Sequence, residues 1–267
     1  MGNKGERMEE KAVQSGCPPS QVKPLAVRVS DFPVTKKNDA EFDEFAAAYD
    51  AALDRGLRFT GESKEYFADT RLAWTRQVLG AHFRGGWQCL DFGCGTGTAT
   101  PYLIKHLAAA QILGVDPSQK SCDLATGEFG GSGARFATPD QLDGAPPQFD
   151  FAYCNGVFHH IPPAERALAV ARIFGALKPG GWFAFWENNA WNPITRLLMR
   201  LVPFDRDAIL LFPGEARRLL ASAGFQIELT SYLFIFPSAL SFLRPVERLA
   251  SGIPLGAQYL VLARKPA

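Results

Sequence analysis

The chain has 267 residues, of which 47% are hydrophobic and 21% charged, with 28 Lys and Arg against 27 Asp and Glu and a net charge of +1. This excludes a wholly disordered chain, a collagen and a coiled coil, and leaves room for one large α/β domain or two small ones. The balanced charge also lacks the basic footprint of a non-specific nucleic-acid binder.

Five cysteines, an odd count with no CxxC pair, support neither a disulfide framework nor a zinc ribbon. No His, Cys and carboxylate cluster has metal-ligand spacing, so no metal is expected. The longest apolar stretch, Tyr232 to Leu243, is interrupted by Pro237 and falls short of a membrane span. The first residues carry charges of both signs without an apolar core, unlike a secretory signal. Glu6 stands where a myristoylation pattern wants Ser or Thr. A cytoplasmic protein is the expectation.

In chain order, residues 1–37 are rich in Lys, Glu, Ser, Pro and Gly, which predicts a mobile tail. Residues 38–267 are expected to form a single domain. Apolar spacing predicts N-terminal helices over 39–53 and 63–83, within a helical region 39–84. A βα rhythm follows: strand 88–92, helix 98–109, strand 112–115, helix 117–126, strand 134–137, strand 149–154, helix 163–177 and strand 182–186. Pro117 suits a first helical turn, and Lys178-Pro179-Gly180-Gly181 reads as a helix stop. Strands alternating with helices imply a doubly wound, mainly parallel sheet covered on both faces. The rhythm breaks after Glu187. Insertions at 188–213 and 232–256, with helices near 194–201 and 240–249, flank a helix at 215–223 and a strand at 225–230, and a strand at 258–263 ends the pattern. The two insertions are expected to form a cap.

The most informative segment is Cys89-Leu-Asp-Phe-Gly-Cys-Gly-Thr-Gly-Thr98, a buried strand running into Gly93, Gly95 and Gly97 before a helix. Such a turn lets backbone N–H groups approach a ligand at the carboxyl end of a sheet. A dinucleotide fingerprint would place its third glycine where Thr98 stands. Asp91, two residues before Gly93, would repel a pyrophosphate and welcome a cationic or amine-bearing ligand. Asp116, at the end of the second strand, is placed to accept from a ribose diol, and Asp140 follows the third strand, where an acid or amide can hold an exocyclic amine. An amine, a diol and an adenine-like edge describe S-adenosylmethionine better than NAD.

The sequence resembles the class I S-adenosylmethionine-dependent methyltransferases, in particular the small-molecule groups known as types 11 and 12. The resemblance covers roughly 42–263. It is carried by Leu90 to Gly97, Gly114-Val115-Asp116-Pro117-Ser118, Phe149 to His160, and Leu177 to Gly181, in that order. It implies a Rossmann-like seven-stranded sheet of order 3-2-1-4-5-7-6 with the last strand antiparallel. The third motif departs from the pattern, because residues 136–141 lack the usual Gly-Asp pair and Gln141 stands as the alternative to Asp140. The cofactor set implied is Tyr49, Asp91, Gly93, Cys94, Gly95, Gly97, Asp116, Pro117, Asp140, Gln141, Asn155 and Gly156. His159 is the first candidate for a general base, with a hydrogen-bonded histidine as the rival reading, while His160 packs. Glu187, Asn188, Asn189 and Trp191 are the substrate candidates, with turn-forming Asn as the alternative. Tyr66 and Phe67 either roof the cofactor or pack the core. Asp91 can instead cap its turn, and Asp116 can cap the helix after it.

The reaction implied is in-line displacement of the sulfonium methyl, with S-adenosyl-L-homocysteine as product and a small or medium, partly apolar organic acceptor. The aromatic insertions line that acceptor's pocket, or else cover the sheet or pack a second copy in a homodimer. Two rival classes stand beside this one: a protein that binds the cofactor but catalyses a non-methylating reaction, and a nucleotide-dependent oxidoreductase.

Overall fold

The computed structural model describes residues 61–201 and 208–267. The expected tail, the helix at 39–53 and Tyr49 lie outside these residues. The strands are β1 (Gln88–Phe92), β2 (Gln111–Val115), β3 (Ala134–Ala137), β4 (Phe149–Asn155), β5 (Leu177–Asn188), β6 (Gln226–Leu233) and β7 (Gln258–Arg264). They pair in the order β3-β2-β1-β4-β5-β7-β6. Neighbours are parallel from β3 to β5, and β7 runs antiparallel to both β5 and β6. This is the sheet that the resemblance implied.

The helices are α1 (Lys64–Leu79), α2 (Thr100–Leu107), α3 (Gln119–Phe129), α4 (Arg166–Ala176), α5 (Pro193–Leu201), α6 (Pro213–Ser222) and α7 (Arg244–Leu249). Side chains alternate across each strand, so the sheet splits its apolar residues between two cores. Leu90, Phe92, Ala152, Cys154, Phe183 and Phe185 pack with Val170 and Ile173 of α4 and Leu220 of α6. Cys89, Phe151, Tyr153, Trp182 and Trp186 pack with Leu72 and Trp74 of α1 and Leu103 of α2. Two of the indoles buried in this second core are hydrogen-bonded: Trp74 Nε1 donates to Ser231 Oγ at 2.9 Å and Trp186 Nε1 to Thr75 Oγ1 at 3.1 Å. They fix α1 across the sheet.

Three expectations change. Pro117 is not in the first helical turn, because Ser118 caps α3 by accepting from Ser121 N at 3.1 Å. The Lys178-Pro179-Gly180-Gly181 stop lies within β5, which pairs Phe149 with Leu177 and then, past an irregularity, Phe151 with Trp182. The helix expected at 240–249 is a 3₁₀ segment (Ser238–Leu243) followed by the short α7, with Pro245 in its first turn.

Candidate active site

The turn after β1 is held by backbone bonds. Gly93 N and Cys94 N both donate to Val115 O, at 2.7 and 3.1 Å. Gly93 has φ 76°, and a Cβ there would meet Val157 Cγ2 at 2.2 Å. Gly97 likewise packs against Phe129. Gly95 differs: a Cβ on it would meet nothing within 4 Å. Two of the three glycines are therefore required by packing, and Gly95 is the point where bare backbone borders open space. Cys94, between them, is buried. Its Sγ donates to Gly95 O at 3.6 Å, and the neighbouring Cys122 thiol and burial hold it well above the usual thiol range. It fills space and is not a nucleophile.

Asp91 sits at the floor of this turn with 2% of its surface exposed, and its Oδ2 has no hydrogen-bond partner among the described residues. Burial, reinforced by the charge of Asp116 and opposed by that of Arg71, pushes its carboxyl up to about 7. A buried acceptor without a donor costs about 1–3 kcal/mol unless a ligand satisfies it. One residue beyond Tyr153 and Cys154, the Oδ1 of Asn155 is buried and unpartnered too.

Arg71 was not singled out from the sequence. Its Nε donates to Tyr153 Oη at 3.0 Å and its Nη1 to Gln258 Oε1 at 2.9 Å. Gln258 Nε2 in turn donates to Asn188 Oδ1 at 3.1 Å. This polar chain runs across the carboxyl ends of β4 and β5, with Arg71 setting a buried positive charge near Asp91. The available signal was position: Arg71 lies three residues after Ala68 and four before Thr75, on the buried stripe of α1.

Asp116 ends β2. Its Oδ2 accepts from Gly95 N at 2.9 Å and its Oδ1 from Ser118 N at 3.0 Å. The carboxylate thus ties the glycine turn to the start of α3, with Ser118 rather than Asp116 as the cap. Pro117 is exposed beside it. Asp140 and Gln141 lie together in a 3₁₀ turn (Pro139–Leu142) and are both exposed. The Thr138 hydroxyl donates to Asp140, and Gln141 N donates to Thr138 O at 3.2 Å.

Past β4, Gly156 has φ 66°, and its N–H donates to Trp186 O at 3.0 Å. His159 follows, only 4% exposed, with its ring centroid 4.1 Å from that of His160. Its Nδ1 meets Glu187 Oε2 at 2.7 Å. Glu187 is wholly buried, and its carboxylate also accepts from Phe158 N at 2.7 Å and Asn188 N at 3.2 Å. Burial pushes this carboxyl up, but the charge and hydrogen bond of His159 and the two N–H donors outweigh it and hold it below its ordinary range. Glu187 therefore positions the His159 turn and offers no surface to an acceptor.

Asn189 is buried as well. Its Nδ2 donates to Pro254 O at 3.2 Å and Gly256 O at 2.8 Å, and its Oδ1 accepts from Trp191 N at 3.1 Å. It stitches the two insertions together and is a turn residue, as the alternative reading had it. Trp191 is half exposed beside Phe212 and Tyr232. Of the four substrate candidates, Asn188 and Trp191 keep accessible surface and Glu187 and Asn189 do not. Tyr66 and Phe67 form a ring cluster with Phe234 of the second insertion, with centroids 4.8 Å apart for Phe67 and Phe234. Arg244 lies over Tyr66.

Residues 90–183 match the family model described as a methyltransferase domain. Over 157 residues the chain is 30% identical to a carboxy-S-adenosyl-L-methionine synthase of Wolinella succinogenes, covering 57% of this chain and 62% of that one. Over 164 residues it is 30% identical to a trans-aconitate 2-methyltransferase of Variovorax paradoxus, covering 56% of this chain and 62% of the relative. The chain thus spans about three fifths of the length of these curated relatives. Among solved structures it is similar to a possible histamine N-methyltransferase of Thermotoga maritima, with a TM-score of 0.61, 22% identity, and coverage of 85% and 99%. It is also similar to the [4+2]-cyclase SpnF, with a TM-score of 0.59, 20% identity, and coverage of 88% and 98%. At these identities the solved structures speak for the fold alone. No helix among the described residues is long and apolar enough to cross a membrane.

Proposed function

We propose that the chain is a class I S-adenosylmethionine-dependent methyltransferase, a reading supported by the methyltransferase-domain match at 90–183 and by the sheet order, and that it transfers a methyl group to a small or medium, partly apolar organic acceptor. When bound, S-adenosylmethionine supplies an electrophilic methyl on a sulfonium sulfur, and S-adenosylhomocysteine is the product. The observation that carries this reading is the unpartnered Oδ2 of Asp91 beneath the open backbone of Gly95. A buried carboxylate oxygen without a donor, beside a turn whose Gly93, Cys94, Gly95 and Gly97 N–H groups are already engaged, fits an ammonium-bearing ligand and disfavours a pyrophosphate.

The chain's own residues then divide the work. Asp91 and Asn155 Oδ1 hold the amine, and the Asp116 carboxylate, fixed at the end of β2 by Gly95 N and Ser118 N, stands at the ribose side. Asp140 and Gln141 stand at the adenine side. Gly156 sets the chain direction at the rim, and His159, oriented by Glu187, is placed to accept a proton where the nucleophile carries one of high pKa. Alignment is the larger contribution, because the leaving group is already activated. A relative named for trans-aconitate agrees with a small acceptor.

Calorimetry with S-adenosylhomocysteine tests the cofactor half of the proposal. We expect binding to the wild type and roughly tenfold weaker binding to Asp116→Ala, as two charge-assisted bonds are lost. Equal affinity in the two proteins would sink it. Turnover to S-adenosylhomocysteine with an acceptor separates methyl transfer from a cofactor-bound, non-methylating role.

A further inference from the structure

We propose that Arg196 and Arg200 of α5 form an oxyanion subsite for the acceptor, so that the substrate is an organic anion, a carboxylate or phosphate carried on an apolar body. This rests on the methyl-transfer reading and specifies its substrate class. A cavity of about 350 Å³ is lined by these two arginines together with Ala190, Met199, Leu210 and Phe212. That volume suits one small organic molecule. The arginines are four residues apart, so they emerge one turn from each other on the same side of the helix. Among the described residues no hydrogen bond or ion pair engages either guanidinium. Two cations side by side without a counter-ion repel each other, and an oxyanion between them removes that repulsion while accepting several N–H bonds.

The helix is fixed while the arginines are left open. Thr195 is buried and its Oγ1 donates to Ala257 O at 3.1 Å, and Asn192 caps the first turn by accepting from Ile194 N and Thr195 N at 2.9 and 3.1 Å. The opposite wall is tied to the reaction rim. Leu210 follows Ile209, whose N–H donates to the carbonyl of His159 at 2.9 Å and whose own carbonyl accepts from Arg166 at 2.6 Å. An acid anchored on α5 would thus lay its apolar body along Met199, Leu210 and Phe212, toward the turn that carries His159. A neutral or cationic molecule would bring the pair no counter-charge.

The test uses the full chain saturated with S-adenosylhomocysteine, titrated calorimetrically with 3-phenylpropanoate, 3-phenylpropyl phosphate and the neutral 3-phenylpropanol. At least one of the two anions is expected to bind about tenfold or more tightly than the alcohol. The preferred anion tells which oxyanion the site takes. R196Q/R200Q should erase most of that preference, R196K/R200K should keep part of it, and both should bind S-adenosylhomocysteine as the wild type does, which also reports that they fold. An alcohol that binds as tightly as both anions, a preference that survives in R196Q/R200Q, or no binding of any of the three probes overturns the subsite. Failure of the wild type to bind S-adenosylhomocysteine in the prior saturation step overturns the methyl-transfer reading instead.

Discussion

At the carboxyl ends of β1 and β2 the site is made of backbone and of short acids tied to it, whereas between 188 and 213 it is made of long side chains on a helix that stands out from the sheet. On the first side, Gly93, Cys94 and Gly95 spend their N–H groups on Val115 O and Asp116, and Asp91 Oδ2 and Asn155 Oδ1 are buried. On the second side, Ile194 is 66% exposed and Leu197 59%, and the second insertion leaves Phe242 and Leu249 similarly bare. The contrast teaches that recognition and folding are one problem on the proposed cofactor side and two separable problems on the proposed acceptor side. A change in the glycine turn moves β1, β2 and β4 together. A change on the outer face of α5 touches little beyond itself.

The sharpest way to break this contrast is Gly93→Ala. A Cβ at φ 76° is strained, and it would also meet Val157 Cγ2 at 2.2 Å. Both terms act at once, so we expect a loss of about 3 kcal/mol or more in thermal unfolding, together with loss of S-adenosylhomocysteine binding. Val157→Ala in the same chain should recover part of the stability by relieving the clash. Near-normal melting of the single variant would show that the turn yields and that the two sides are not so different.

Next comes Glu187→Gln. The substitution preserves shape but leaves an amide N–H₂ among three donors, those of His159, Phe158 and Asn188. A cost of about 1–3 kcal/mol is expected from one mismatched buried pair, measured by denaturant unfolding. The cofactor affinity should change little, because Glu187 touches the His159 turn and not the glycine turn. Equal losses of stability and of cofactor binding would contradict that separation.

These two positions also mark what the sequence discloses and what it does not. The strands of the parallel region announce themselves as short apolar runs, because they are buried on both faces. The glycine turn and Asp116 are legible because their chemistry is local: a strand, a tight turn and a helix within a few residues. Glu187 and Asn189 look like rim residues in the sequence, since they are polar and end a strand. They face inward because the second insertion and the 208–212 segment fold over β5 from far along the chain. Arg71 is hidden for the same reason, as its partners Tyr153 and Gln258 are 82 and 187 residues away. The early start of β5 escapes notice because Pro179 and two glycines resemble an ending, whereas the pairing with β4 merely skips over them. Long-range burial of polar groups is the part that local pattern cannot supply.

A smaller effect, and one with a sign, comes from Asp91. Its carboxyl is pushed up to about 7, so it is neutral below that pH and charged above it. On the proposed reading, the ammonium of S-adenosylhomocysteine binds the charged form. Affinity should therefore fall as pH drops through 7, approaching about tenfold per pH unit at the limit, and Asp91→Asn should bind weakly with a flat profile. The fold responds in the opposite sense. An acid whose carboxyl is raised on folding loses stability as pH climbs from the ordinary carboxylate range to about 7, because there the unfolded chain ionises and the folded one does not. Calorimetry from pH 5 to 8 beside melting over the same range would show the two trends crossing.

The smallest effect is expected at the tip of the acceptor side, and it tests the comparison from its weak end. Leu197 is largely in water, while Met199, two residues on, is buried against the cavity wall. Leu197→Gln removes little buried area and should leave unfolding within about 0.5 kcal/mol of wild type. Met199→Ala removes buried contacts and should cost about 2 kcal/mol or more. Because the two residues share one helix, its capping is common to both variants, propensity differs by only a few tenths of a kcal/mol, and burial makes the main difference. If Leu197→Gln proved as costly as Met199→Ala, its side chain would have to be covered in solution, and the acceptor side would then be as tightly bound to the fold as the glycine turn.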